Sequence, residues 1–390
     1  MKKKLLAVAV AGALAAPGLA LAQSSVTISG IFKASLESHR IGSPGVGRAG
    51  LNTSETRISD DSSRIIFNVV EDLGGGLQAI GQADLRLPMA SGNFVAFSGN
   101  THVGLRSKTM GRIFVGRQDV HYINTESNLT SLAGDLRADS VSLLAFMRDG
   151  TTAIAGATRT PNIIHYTSPN WGGFTVIGGY STGPTGAATG QPNNTGVASA
   201  AQQTDLSTGI RKGRAWVINP NFEAPNWQVG YSYWNSRPDS GGATLGTGDQ
   251  RSDKLYGSFK IAGFKLGLAW DRSRVRSSTG AAPGTELGNR TAWSIPIGYV
   301  MGNNQFHFHY TKARDDKATA AQDGAKMIAL SYQYTLSKRT SVGLTYAKIT
   351  NDAGAAYNLF TTTSLGNSTG AAVAAGEDPR IFAGTIRHAF

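Results

Sequence analysis

The chain contains no cysteine, so no disulfide holds it together. Beyond its first 22 residues it has no run of eighteen apolar residues, which leaves no transmembrane helix. Charged residues make up only 16% of it, and its basic residues are dispersed without a long run. That dispersal argues against a nucleic-acid tract. No Gly-x-Ser-x-Gly elbow and no nucleophile–base constellation is present, so no enzyme chemistry is indicated. His307 and His309 share a strand face at a spacing metals use. Two histidines without a third ligand do not make a site, so neither a metal nor another cofactor is implied.

What is present begins with the leader. Lys2, Lys3 and Lys4 form a basic segment, Leu5 to Ala16 an apolar one, and Ala20-Leu21-Ala22 a small-x-small cleavage site before Gln23. This order is that of a Sec-type signal peptide over residues 1–22, with a single domain over 23–390. An exported chain of this length without disulfides needs another constraint. A closed barrel supplies one, because each backbone N–H and C=O pairs with a neighbouring strand. Without the three leader lysines, 34 basic residues face 25 acidic ones, a formal +9. In an exported protein such an excess fits a lumen or vestibule that attracts anions.

The dominant period is two. Leu77, Ala79, Gly81, Ala83 and Leu85 alternate with Gln78, Ile80, Gln82, Asp84 and Arg86; Phe264, Leu266, Leu268 and Trp270 alternate with Lys265, Gly267, Ala269 and Asp271. Each such segment has one apolar and one polar face. A sandwich and a barrel both use that pattern, but connection lengths separate them. Tight connections at 72–75, 107–111, 169–173, 262–263, 302–304 and 337–338 alternate with long ones at 39–56, 119–160, 182–207, 237–250, 276–288, 314–324 and 351–378. Short periplasmic turns alternating with long extracellular loops are the pattern of outer-membrane barrels. About sixteen strands are expected. Pro296, inside the strand 291–300, removes a ladder donor and predicts a bulge. Aromatics near strand ends, among them Trp171, Trp227, Tyr231, Trp234, Trp270, Trp293 and Tyr332, predict girdles at the two membrane interfaces.

Three parts of the chain resemble one family. Ser24-Ser25-Val26-Thr27-Ile28-Ser29-Gly30, then Ser63-Arg64-Ile65-Ile66-Phe67 with Glu71-Asp72-Leu73-Gly74-Gly75-Gly76-Leu77, are similar to the opening strands and first turn of Gram-negative general porins. Gly111–Arg117 and Asn162–Pro169 resemble their fifth and sixth strands, and the chain ends on Phe390 behind an alternating strand. The resemblance implies an all-β, 16-stranded antiparallel transmembrane barrel, a homotrimer, with a third loop folded inward. That loop would be residues 119–160. The terminal Phe390 resembles the signal read by the barrel-assembly machinery. The expected partners are two further copies, outer-membrane lipid and lipopolysaccharide, that machinery, and small hydrophilic solutes, with no nucleic acid. The implied function is passive diffusion through a water-filled pore that prefers anions. The alternative is a channel on the same barrel for phosphate, a dicarboxylate or a sugar. A lipid hydrolase or a poreless structural barrel is remote.

In such porins wall arginines face loop carboxylates, and the low-dielectric wall focuses the field between them. Alternation places Lys33, Arg64, Arg86 and Arg106 on polar faces, and Arg159 opens the stretch into Asn162–Pro169. Arg64 and Arg159 match the family's wall arginines. Arginine suits the role because it stays charged and offers several donors to an anion. The expected loop carboxylates are Glu126, Asp135 and Asp139. One departure stands out: where much of the family has another wall arginine, this chain reads Gly99-Asn100-Thr101.

Overall fold

The computed structural model describes residues 24–43, 53–59, 63–87, 99–129, 139–145, 156–184, 213–238, 248–279, 282–359 and 373–390, with a few isolated positions between them. The expected leader, residues 1–22, lies outside them. Seventeen strands follow one another: β1 Ser25–Gly42, β2 Ser54–Ser59, β3 Arg64–Gly74, β4 Leu77–Arg86, β5 Thr101–Ser107, β6 Gly111–Asp119, β7 Arg159–Thr167, β8 Phe174–Ser181, β9 Arg214–Glu223, β10 Trp227–Arg237, β11 Asp249–Ile261, β12 Phe264–Arg276, β13 Glu286–Met301, β14 Asn304–Ala313, β15 Ala325–Thr335, β16 Thr340–Asn351 and β17 Asp378–Ala389. Among the described residues between β6 and β7 are two helices, α1 His121–Leu129 and α2 Val141–Leu144.

Seventeen strands make sixteen staves. β2 and β3 both pair with β1, at Ser35↔Ser59 and Ile31↔Arg64, so they are two parts of one stave. Between those pairs β1 advances four residues and the partner five, so one extra residue flips the side-chain parity. Ser63 bridges the break: its Oγ accepts from the Lys33 N–H at 2.9 Å and donates to the Lys33 carbonyl at 2.8 Å. The ring closes where β17 pairs with β1 in antiparallel register. Phe390 completes the seam by exchanging two backbone hydrogen bonds of 3.1 Å with Gly30. Its ring lies 5.0 Å from that of Phe32 and occupies the space a Cβ on Gly30 would need, 2.6 Å away.

Burial along the staves is inverted relative to a soluble protein. Val26, Val103, Leu268 and Ile386 are exposed, whereas Ser232, Lys254, Asp271 and Ser294 on the opposite parity are buried. An apolar outer wall around a polar interior is what a lipid-embedded barrel requires. No helix among the described residues is long and apolar enough to cross a membrane.

Three details differ from the sequence reading. Pro296 causes no bulge: β12 and β13 keep one register on both sides of it, Leu266↔Ile297 and Ala269↔Ser294. Its ring simply fills the space above Gly267. Trp234 is no girdle residue, because its even parity on β10 turns it inward, fully buried. The strands also reach further into the first long connection than expected, to Gly42 and from Ser54. Main-chain pairing continues there beyond the apolar alternation.

Candidate functional site

Adjacent staves carry the basic wall. Arg64 on β3 stands opposite Arg86 on β4, and both point at Asp84: Arg86 Nη2 at 3.1 Å and Arg64 Nη1 at 3.6 Å from its Oδ2. Asp84 is buried, and the Gly99 backbone packs on it so closely that a Cβ there would fall 2.0 Å from the carboxylate carbon. Across the lumen side of β6 and β7, Arg159 Nε lies 2.7 Å from Asp119 Oδ1. The register shift between Gly116 and Gln118 re-aims the end of β6 that carries Asp119. Asn100 grips Asp119 twice at 2.9 Å, donating from Nδ2 to its carboxylate and accepting its backbone N–H. Gly99-Asn100 therefore does not replace a lost arginine with nothing. It makes room for one carboxylate and orients the other.

Lys33 extends the wall from β1. Its register partner on β17 is Arg387, which sits within electrostatic range of Arg64. Arg64 and Arg86 likewise sense each other, Arg159 and both aspartates, and Arg159 acts on Asp119. Among the described residues Arg117 also acts on Asp119, so four arginines meet the two carboxylates, with Arg387 and Lys33 beside them. A cation excess in a wall backed by lipid focuses a positive potential into the lumen.

Arg106 does not join them. It has the same inward parity but sits at the short-turn end of β5, bonded through Nε and Nη2 to Gln78 at 3.0 and 2.8 Å. Gln78 and Arg86 are eight residues apart on β4, roughly 26 Å. Of the loop carboxylates, Asp135 lies outside the described residues. Glu126 falls on α1, and its side chain is not described. Asp139 lies just before α2, and its Oδ1 accepts the Val141 N–H at 2.9 Å.

The connection between β6 and β7 crosses to the far wall, and its anchors are polar. His121 reaches Ser232 on β10 through Nδ1 and Ser252 on β11 through Nε2, both at 2.8 Å. The Tyr122 hydroxyl meets Ser252 at 3.0 Å and Ser273 at 2.9 Å, and donates to Asp271 on β12 at 3.3 Å. Burial pushes its phenol well above the ordinary value, so it stays a neutral donor. Arg290 on β13 donates to the Leu143 carbonyl, to the Leu144 carbonyl at 2.8 Å and to the Tyr357 hydroxyl at 3.1 Å, with Asp271 at 3.7 Å. His121, Tyr122, Asp271 and Arg290 are all buried. Sequence reasoning missed these residues and Asp84, Asp119 and Arg387. Asp84 and Arg387 could have been found by parity alone. The anchors could not, because nothing local links position 121 to 252 or 144 to 290.

The arrangement offers fixed charge on one wall and an inward loop held on the other, with the His121–Ser252 contact that holds the loop fully buried. Comparison with known proteins agrees with that chemistry. The family model described as Gram-negative porin matches residues 7–354. Outer membrane porin protein 32 of Delftia acidovorans is 29% identical, over 88% of this chain and 88% of its own. An outer membrane porin protein of Bordetella pertussis is 25% identical, over 88% of this chain and 92% of its own. Among solved structures, an anion-selective porin from Comamonas acidovorans superposes with a TM-score of 0.67 at 20% identity, covering 94% of this chain and all of that one.

Proposed function

Because the chain belongs to the Gram-negative porin family, a channel of the outer membrane rather than an enzyme, we infer that its basic wall makes it a passive diffusion pore that prefers anions. The observation that carries this is the grouping, among the described residues, of Arg64, Arg86 and Arg159 with Asp84 and Asp119, with Arg387 beside Arg64 and Lys33 in register with Arg387. Passing anions exchange water for guanidinium donors at a site whose charge is already fixed in place. The inward loop, held at α1 and α2, narrows the lumen opposite that wall, and Glu126, Asp135 and Asp139 supply its negative side. Arg106 acts at the turn-side mouth. The likeness to an anion-selective porin supports the sign of the preference.

The working form is a homotrimer. The family resemblance supports this, as does the structural likeness to the trimer form of OmpT of Vibrio cholerae, with a TM-score of 0.60 at 14% identity. Residues 1–22 act as the export signal, residues 23–390 form the barrel, and the strand ending in Phe390 is read by the assembly machinery. Outer-membrane lipid and lipopolysaccharide surround the wall. The test is reversal potential across a KCl gradient in a planar bilayer. A chloride-favouring potential is expected, with conductance steps in threes. A potassium-favouring potential would overturn the anion preference.

A further inference from the structure

The short-turn half of the outer wall is not evenly filled. One register row crosses β12 to β17 through Phe264, Tyr299, Phe306, Tyr332, Leu344 and Gly384. It has the outward parity: Phe264, Phe306 and Leu344 are exposed. Its first four members present rings in file, with centroids 4.3, 6.5 and 5.1 Å apart. The Tyr332 hydroxyl donates to Asn304 at the turn, at 2.8 Å. Tyrosines so placed mark the edge of the hydrocarbon. The row then changes character. Gly384 has no side chain, although it lies between Phe382 and Ile386, both more than half exposed. An ideal Cβ there would meet only Leu344, at 3.9 Å. Leu330, Tyr346 and Phe382 form the next row, and a groove of about 440 Å³ lies along the two rows. Phe264 opens β12 beside its turn, whereas Gly384 lies five residues before the end of β17. The groove therefore rises obliquely from the turns into the apolar depth of the wall.

The charge below the groove has one sign. From Ala325 to Asn351 the β15–β16 hairpin carries no carboxylate, and its turn reads Ser337-Lys338-Arg339. Both cations are exposed, and among the described residues neither forms an ion pair. Going down β15 towards that turn, the outward positions are Leu330, Tyr332, Tyr334 and Leu336, and then Lys338. An apolar groove, then phenol hydroxyls, then two cations without counter-ions match the order of acyl chain, ester region and phosphate in a phospholipid. We propose that the groove seats one acyl chain of an anionic glycerophospholipid from the periplasmic leaflet, with its phosphate held by Lys338 and Arg339. The charge selects an anionic lipid over a zwitterionic one. The gap at Gly384 selects a chain that enters the wall over one that lies against it. The proposal rests on the outer-membrane placement and is independent of the pore's ion preference.

The experiment strips the purified protein of lipid in neutral detergent. It is then titrated with phosphatidylglycerol, with phosphatidylethanolamine and with glycerol 3-phosphate, and bound molecules are counted by native mass spectrometry. The expected result is one saturable phosphatidylglycerol per chain, weaker binding of phosphatidylethanolamine, and no displacement by millimolar glycerol 3-phosphate. K338Q/R339Q should bind phosphatidylglycerol roughly twenty-five-fold more weakly, at a factor of about five for each charge near an anionic lipid. G384L fills the groove without changing charge and should bind roughly ten-fold more weakly. Should G384L fail to fold, the turn variant, whose side chains lie in solvent, carries the test. Equal affinity in either folded variant would overturn the proposal. So would unsaturable uptake of both lipids alike, which is bulk solvation, or ready displacement by glycerol 3-phosphate. If G384L separates associated copies and leaves lipid affinity unchanged, the groove is an interface between copies and the proposal falls. Single-channel conductance of the same samples checks the porin reading separately, and these outward-facing variants should leave it unchanged.

Discussion

Arg290→Gln should release the inward loop without opening the barrel. Arg290 is buried and donates to the Leu143 and Leu144 carbonyls and to Tyr357, with Asp271 at 3.7 Å. Glutamine is shorter and neutral, so Asp271 loses its cationic partner and two carbonyls lose a donor. Removing one member of a buried ion pair costs about 3–5 kcal/mol, mostly because the remaining charge stays buried and uncompensated. At about 1.4 kcal/mol per factor of ten, the docked fraction of α2 relative to undocked falls by roughly two to three and a half orders of magnitude. The strand ladder is untouched, so heat resistance of the folded barrel should hold. The assay is single-channel recording: R290Q should show larger conductance and more open-channel noise than wild type. D271N/R290Q should cost less than the sum of the two single changes, because the neutral pair leaves no stranded charge. Unchanged conductance and noise in folded R290Q would refute the anchor. So would loss of the whole barrel at a lower temperature with no separate effect on the channel.

Three further outcomes follow from the same geometry. Arg159→Gln removes one wall charge; at about 8 Å in water such a charge is worth about 0.5 kcal/mol to a passing ion, so the chloride-to-potassium permeability ratio should fall roughly two-fold in reversal-potential measurements. Burial holds His121 below its ordinary value of 6.5. The unfolded or undocked chain therefore binds the proton more readily, and the loop's docking is at full strength above about pH 6.5 and declines as pH falls below it. Channel noise should rise on acidification in wild type, while an H121Q variant, which keeps a donor and an acceptor there, should lose that pH response. Gly30→Val places carbon against the Phe390 ring and the Arg64 carbonyl, 2.6 and 2.5 Å from an ideal Cβ, so it should loosen the seam and lower heat resistance. F390A in that background should restore only part, because the carbonyl contact remains.

Much of the barrel was legible from local pattern. A period of two, tight turns alternating with long connections, and an absence of apolar helices left few alternatives to a lipid-embedded barrel. Parity puts Arg64, Arg86 and Arg106 on the polar face of their strands, because the pleat forces successive side chains to opposite faces. Parity says nothing of height, however, and height separates Arg106 from the group around Asp84. It also fails across an inserted residue. Between β2 and β3 one extra residue exchanges the faces, and only the pairing with β1 reveals it. Trp234 shows the opposite error: residue type suggested a membrane girdle, while its place in the alternation turned it inward.

The sequence by itself determined that the chain is all-β, lipid-facing on one parity and basic in excess, since each of these follows from composition or from contacts within a few residues. The tertiary structure alone decided which charges meet. Asp84 joins Arg64 and Arg86 across neighbouring staves, Asn100 fixes Asp119 for Arg159, and Arg387 comes beside Lys33 only when the last stave closes on the first. His121, Tyr122 and Arg290 secure the loop to residues more than a hundred positions away. Such contacts depend on ring closure and on the path of a long connection, and no local period in a chain encodes either.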